Sequence, residues 1–447
     1  MLPLLPDGPA DAVLVYRAGR PVTRAEFLAE VQALAQRLPA GGWALNLCGD
    51  RSRFMVGVLA CIARGVVCVL PHSNAPEHLA ALAAEQPGLI ALTDEDRDWV
   101  PGMPQVRVDA PSAPGAEVAG AAGWMPQIPV DQRVARLYTS GSTGRPQAID
   151  KTFGALWHGL QAAARRIWPV MAGPGSVVGT SSFRHMFGFE ATVLMPLWSG
   201  GQVSGAAPFF PADVAAALAA VPAPRLLVTT PYHLRTLLDA DVAFPPVAAI
   251  LSATAPLSPE LARRAESVLG AKVLEVYGST ELGMTATREP CRQSVWTTLD
   301  GITLSQPAPD QVAVSGPSWP GSQRLQDVVE PLDATRFRLI DRGANLINIV
   351  GKRSSLALLN HALLDIPGVQ DGTFCQPVSE AERDSARLAA FVVAPGLRAP
   401  DILTALRQQV DPVFLPRPIV FVEHLPRDAN GKLPAASLRA LMDAHLS

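Results

Sequence analysis

Short apolar runs alternate along this chain with stretches whose apolar residues fall three and four apart. That alternation limits the folds open to it more than any other feature. Thr23 and Glu26 form a capping box ahead of Phe27, Val31, Leu34 and Leu38, which share one helical face. WALNLC at 43–48 reads as a strand, RFMVGVLACIA as a helix and VVCVL at 66–70 as the next strand. A helix around 77–86 precedes the strand LIALT at 89–93. Strands and helices in this order predict parallel βαβ units, hence an α/β fold of parallel-rich sheets flanked by helices. Residues 101–133, rich in Pro, Ala and Gly, read as an irregular connection. The alternation resumes with ARLYTS (135–140), VVGTSS (177–182), RLLVTT (225–230), AAIL (248–251) and KVLEVY (272–277).

Near 341–351 the pattern shortens. A helix over SLALLNHALLDI, a strand LAAFVVA, a helix near 401–410, a strand IVFVE and a last helix from about 434 make a small α+β unit. The expected organisation is a large domain over 1–342 and a small one over 343–447, with no internal repeat.

Composition removes several function classes. With 48% hydrophobic and 17% charged residues, the chain is not disordered. Its 42 Pro and 35 Gly stay below the ~25–30% of low-complexity sequence. A net charge of -3 leaves no general electrostatic case for nucleic acid or an anionic membrane. No run of ~18 apolar residues is free of charge and proline, so no transmembrane span is expected. The start, MLPLLPDGPADAV, lacks the basic region of a secretory signal. Five cysteines, Cys48, Cys61, Cys68, Cys291 and Cys375, form no CxxC pair, which argues for a reducing, cytoplasmic setting and against zinc.

The segment richest in chemistry is Tyr138-Thr139-Ser140-Gly141-Ser142-Thr143-Gly144-Arg145-Pro146, a strand running into small, hydroxylated and glycine residues. Such a loop can wrap backbone N–H groups around an anion, with hydroxyls as further donors. It is not a Walker A loop, and GxGxxG after a strand, GxSxG and HExxH are all absent.

LYTSGSTGRPQ resembles the phosphate loop of the adenylate-forming superfamily of acyl-CoA synthetases, peptide-synthetase adenylation domains and luciferases, and four further segments resemble that superfamily in the same order. The resemblance assigns Thr139, Ser140, Gly141, Ser142, Thr143 and Gly144 to phosphate. SSFRHMFGFE (181–190) is similar to the aromatic segment lining the acyl pocket, with His185 in the place of the family's His or aromatic residue. SATAPLSPEL (252–261) resembles the stretch along the adenine, implicating Ala253, Thr254 and Ala255. EVYGSTELG (275–283) matches the YGxTE motif: Tyr277 would stack on adenine, flanked by Gly278 and Ser279, Thr280 would contact phosphate and Glu281 would hold Mg²⁺. Asp327 and Arg342 take the ribose-binding places, although the usual TGD reads QD here. LPRDANGKLP (425–434) resembles the terminal motif that supplies a mobile catalytic lysine, Lys432.

The resemblance implies ATP and Mg²⁺, a small carboxylic acid activated as its acyl-AMP, and transfer to a thiol after the small domain rotates near Gly343 and Ala344. Gly351 would then border the thiol tunnel. The candidate acid pocket is Phe183, His185, Phe187, Ala253 and Tyr277. Departures from the pattern are Gln147 for the lysine after the loop's proline, Ala344 for a charged pivot residue, Asn348 for a lysine, and a short N-terminal portion. Lys151 is left as an open substitute for the lysine missing at Gln147. The compact length and the loop's Lys151-Thr152 ending look most like the stand-alone ligases of aryl polyene and xanthomonadin pigment clusters. That narrower resemblance implies an aromatic acid such as 3-hydroxybenzoate and an acyl carrier protein as acceptor. Free CoA as acceptor, and a non-catalytic nucleotide-binding regulator, are the alternatives.

Overall fold

The structure is a computed structural model and describes all residues except 72, 110–122, 140–146, 309–310, 343–345, 350–351, 377–387, 429–430, 432 and 447. Local signals set the first elements. Thr23 Oγ1 accepts from the Glu26 N–H while a Glu26 carboxylate oxygen accepts from the Thr23 N–H, so the helix Arg24–Arg37 starts on a reciprocal cap. Asp50 caps the helix Arg51–Arg64, and Gly65, at φ +69°, ends it in the left-handed region.

Among the described residues a six-stranded sheet has the order Gln147–Thr152, Arg133–Thr139, Val67–Leu70, Trp43–Asn46, Ile90–Thr93, Gln105–Arg107. All its pairs are parallel except the first, a hairpin that sets Thr139 opposite Gln147. Residues 101–133 are therefore not wholly irregular. Gln105–Arg107 adds an edge strand, and Gln127–Ile128 pairs with Leu2–Pro3. Two- and three-residue strands carry too few alternating positions to show as a period.

An eleven-stranded sheet has parallel strands at its centre: Ser176–Gly179, Gln202–Ser204, Arg225–Thr229, Ala249–Ser252 and Lys272–Ser279. One face presents Val178, Leu227, Ile250 and Val273 to the helices Pro211–Ala219, Pro231–Asp239 and Pro259–Leu269. The other presents Val177, Leu226, Leu251 and Leu274 to a core shared with the six-stranded sheet and with Arg24–Arg37, Arg51–Arg64 and Phe153–Ile167. From Lys272 onward the sheet turns antiparallel, through Gly283–Arg288, Val295–Thr298, Arg336–Arg342 and Asp327–Pro331.

Beyond residue 355, Asp371–Cys375, Ala389–Val393 and Ile419–Phe421 form a three-stranded sheet. Phe374, Ala390 and Val392 pack on the helices Leu356–Leu364 and Ala399–Leu406, while Phe391 and Val393 pack under Ala435–His445. This unit thus carries apolar cores of its own. The expected pivot, Gly343 and Ala344, lies outside the described residues.

Candidate active site

Polar side chains gather at the carboxyl ends of the central parallel strands, the edge where open α/β sheets bind ligands. Thr180 follows its strand, Thr229 and Ser252 end theirs, and Glu275 lies within Lys272–Ser279 in register with Ser252; all four are buried. Thr180 Oγ1 lies 2.8 Å from Thr229 Oγ1 and 3.1 Å from His233 Nδ1. Burial pushes the His233 imidazole down against the pull of Asp428. Glu275 is clasped by the Arg288 guanidinium at 2.7 Å and by the Leu257 N–H at 2.8 Å.

The strand Lys272–Ser279 carries Tyr277, Gly278 and Ser279 out of this edge. Tyr277 is buried, its ring centroid 5.7 Å from that of Trp296 and 5.3 Å from that of Phe337. Gly278 follows at a bulge where a Cβ would stand 2.2 Å from the Gly283 carbonyl oxygen, so a side chain there would break the turn. Ser279 and Glu281 are exposed and Thr280 is half-buried.

Three elements distant in sequence grip this turn. Lys151 Nζ donates to the Glu281 carbonyl oxygen at 2.6 Å. Glu190 Oε2 accepts from the Met284 N–H at 2.9 Å. The Trp319 indole donates to the Leu282 carbonyl at 3.1 Å. Gly283 sits at φ +76°, and a Cβ there would lie 2.4 Å from Glu190 Oε1, so the carboxylate occupies the space a side chain would need. Glu190 was missed in the sequence reading. Its only signal is a lone acid in the apolar run MFGFEATVLMPLW. Lys151, left open as a substitute for the lysine absent at Gln147, has its ammonium directed at a protein carbonyl.

The aromatic segment folds as a turn leading into Met186–Phe189. His185 is half-buried at its N-cap, and the Phe189 N–H donates to the His185 carbonyl at 2.8 Å. Phe183 packs 4.8 Å from Phe54, with the guanidinium carbons of Arg51 and Arg184 at 5.5 and 5.7 Å, and Phe187 packs half-buried on the main core. Ala253 is buried, Thr254 half-buried and Ala255 exposed, just past Ala249–Ser252. Thr254 holds φ +81°, strained for a β-branched residue. Asp327 and Arg342 are register partners on adjacent antiparallel strands. Ser140, Gly141, Ser142, Thr143, Gly144, Gly351 and Lys432 lie outside the described residues, as does the Thr139 side chain.

Residues 425–428 and 431, in the same motif as Lys432, are described. Arg427 donates to both Asp371 carboxylate oxygens at 2.7 Å and to the Gly431 carbonyl at 3.0 Å. Its guanidinium carbon lies 5.9 Å from the ring centroid of Tyr232, on the large unit's helix Pro231–Asp239, and Gly431 packs against that same ring. Arg235 on that helix donates to the Leu364 carbonyl at 3.2 Å beside a cleft of about 440 Å³ between the units.

The donors fit a hard divalent cation such as Mg²⁺. Glu281 offers an exposed carboxylate and Thr280 a hydroxyl, and Mg²⁺ takes one or two carboxylates together with substrate phosphates. Among the described residues no group of three His, Cys, Asp or Glu could hold a metal unaided.

Strand-end hydroxyls and a glycine-bounded YGSTE turn thus lie together on one sheet-rich α/β body. Residues 6–314, more than half of the chain, match the family described as AMP-binding enzyme, and the chain belongs to that family. It is 24% identical to tyrocidine synthase 3 of Brevibacillus parabrevis over 98% of this chain but only 7% of that protein, so it spans a small part of that relative. It is 28% identical to a 4-coumarate–CoA ligase of Rhodobacter capsulatus over 66% of this chain and 73% of that one. With a p-hydroxybenzoic acid–AMP ligase of Mycobacterium tuberculosis the identity is 25%, over 91% of this chain and 63% of that protein. ATP-bound MatB from Rhodopseudomonas palustris superposes with a TM-score of 0.80 at 19% identity, covering 98% of this chain and 97% of that one. The anthranilate CoA ligase AuaEII, solved with anthranoyl-AMP, gives 0.81 at 14% identity, covering 98% and 95%. At these identities the structural likeness shows the fold.

Proposed function

We propose that the protein is an adenylate-forming acid:thiol ligase that activates an aromatic carboxylic acid, 3-hydroxybenzoate in the first instance, and passes it to the phosphopantetheine thiol of an acyl carrier protein. The observation that carries the reading is the YGSTE turn, gripped by Lys151 on the strand that follows the phosphate loop and by Glu190 at the end of the aromatic segment. Three motifs far apart in the chain meet there. The aromatic preference is supported by relatives named for 4-coumarate and p-hydroxybenzoic acid. Free CoA is the second reading for the acceptor, favoured by relatives named as CoA ligases.

A carboxylate resists attack by a thiol because its charge and resonance make it a poor electrophile. Joining it to the α-phosphate of ATP makes a mixed anhydride with a good leaving group, but two anions must first meet. Mg²⁺, held by Glu281 with the phosphates, would supply the Lewis-acid neutralisation of that charge. The loop at 139–144 would hold the departing pyrophosphate, and Asp327 and Arg342 the ribose. The Lys432 ammonium, delivered by a mobile domain over 343–447, would offset charge on the carboxylate and α-phosphate as the new bond forms. Withdrawal of that domain would admit the thiol beside Gly351. The described helices include none long and apolar enough to cross a membrane, and we place the enzyme in the cytoplasm.

ATP–pyrophosphate exchange across benzoates, cinnamates and fatty acids tests the reading. Exchange with hydroxybenzoates that falls by ~10²–10³ in Lys432→Ala is expected. A preference for long alkyl acids removes the aryl assignment, and transfer to CoA as fast as to holo-carrier protein replaces the acceptor.

A further inference from the structure

Of the buried charges that the mechanism above does not use, two converge on the YGSTE turn. Lys151 is 6% exposed at the end of the strand that leaves the phosphate-loop hairpin, and Glu190 is 5% exposed at the head of the π-helical turn Glu190–Leu194. They come from different elements and reach the same turn. The Lys151 ammonium is spent on the Glu281 carbonyl and leaves that residue's carboxylate exposed. Glu190 takes the Met284 N–H and fills the space beside Gly283, whose positive φ lets the chain reverse there. A hydrogen bond with one ionised partner is roughly twice as strong as a neutral one, so the Lys151 grip is stiffer than an amide or hydroxyl would give. Burial disfavours both charges, yet each draws the other toward its charged form.

Resting on the ligase reading, we propose that Lys151 and Glu190 are positioning residues for nucleotide activation, clamping the 281–284 turn from its two ends so that the Glu281 carboxylate is presented to the metal on the ATP phosphates. Lys151 then links the pyrophosphate-side hairpin to the metal-side turn. Its ammonium acts on the backbone of the turn.

Substitutions behind a metal ligand commonly cost ~10–100-fold in metal affinity or activity. Lys151→Met is expected to lower the exchange kcat by about that factor and to raise the Mg²⁺ concentration for half-maximal rate about tenfold. KM for the acid should stay within about twofold. Glu190→Gln, nearly isosteric and still able to accept from Met284, should shift the Mg²⁺ requirement in the same direction by about threefold, and the double variant should lose less than the product of the two. Calorimetric titration of the nucleotide-free proteins with Mg²⁺-ATP supplies a readout independent of turnover, with about tenfold weaker binding expected for Lys151→Met. A lowered melting temperature with unchanged Mg²⁺ dependence and unchanged Mg²⁺-ATP affinity overturns the proposal, as does a loss confined to KM for the acid. If Lys151→Met does not fold, Glu190→Gln decides: its Mg²⁺ requirement and Mg²⁺-ATP affinity either shift together or the clamp is refuted. Should the wild-type protein exchange pyrophosphate with no acid, the ligase reading fails by itself, and calorimetry still decides the clamp.

Discussion

Asp327 and Arg342 stand opposite each other as register partners on the antiparallel strands Asp327–Pro331 and Arg336–Arg342. They lie on consecutive strands, and antiparallel pairing sets them side by side at the edge of the large sheet. If they share the ribose hydroxyls, Asp327→Asn should raise KM for ATP by about tenfold, the equivalent of ~1.4 kcal/mol, while KM for the acid stays unchanged. Exchange kinetics with each substrate varied in turn check this, and equal KM values for ATP in both proteins remove Asp327 from the site.

Arg427 ties the segment before Lys432 to Asp371 through two 2.7 Å hydrogen bonds, with only 17% and 15% of the two side chains exposed. A bidentate pair of this kind holds geometry better than a mobile surface pair. Arg427→Ala is therefore expected to cut adenylation ~10-fold or more by loosening the carrier of Lys432. The large unit's melting transition should hardly move. A variant with full exchange activity would show that the segment needs no anchor.

Thr254 stores strain at φ +81°, and a left-handed residue other than glycine costs ~1–2 kcal/mol. Thr254→Gly should recover part of that, offset by ~0.5–1 kcal/mol of glycine's extra backbone entropy in the unfolded chain. Thermal melts should show a midpoint equal to or above wild type. A clear drop would mean that the side chain contributes more than the backbone strain costs.

Glu190 gives a pH signature. Burial, opposed by Lys151 and the Met284 N–H, carries its carboxyl from the ordinary 4.5 up to about 7. Between those values the folded chain binds more protons than the unfolded one, so this group's contribution to stability is full below 4.5 and is lost as pH rises through 7. Glu190→Gln removes that loss. The melting temperature of the variant minus that of wild type should therefore rise between about pH 5 and about pH 8. A difference that is flat across this range would place the Glu190 titration elsewhere.

Much of the scaffold was legible residue by residue. The Thr23–Glu26 cap, the strand Val67–Leu70, the helix Arg51–Arg64 and the tail helix Ala435–His445 all stand where apolar spacing and capping residues put them. These features depend on neighbours within a turn or two of helix or one strand, and such neighbours are present in any conformation of the chain. The strand Arg133–Thr139, which leads into the glycine- and hydroxyl-rich segment, was visible for the same reason.

The antiparallel run from Gly283 to Arg342 was not. Its strands are short, and several expose one face, so no apolar run marks them. The clamp was invisible as well. Glu190 meets Met284 across 94 residues and Lys151 meets Glu281 across 130, and nothing near either acid or amine in sequence names its partner. Local chemistry selected the elements and most of the candidate site. Which buried charge faces which turn was decided only when the two sheets closed on one core, because desolvation and hydrogen-bond geometry exist only in the packed molecule.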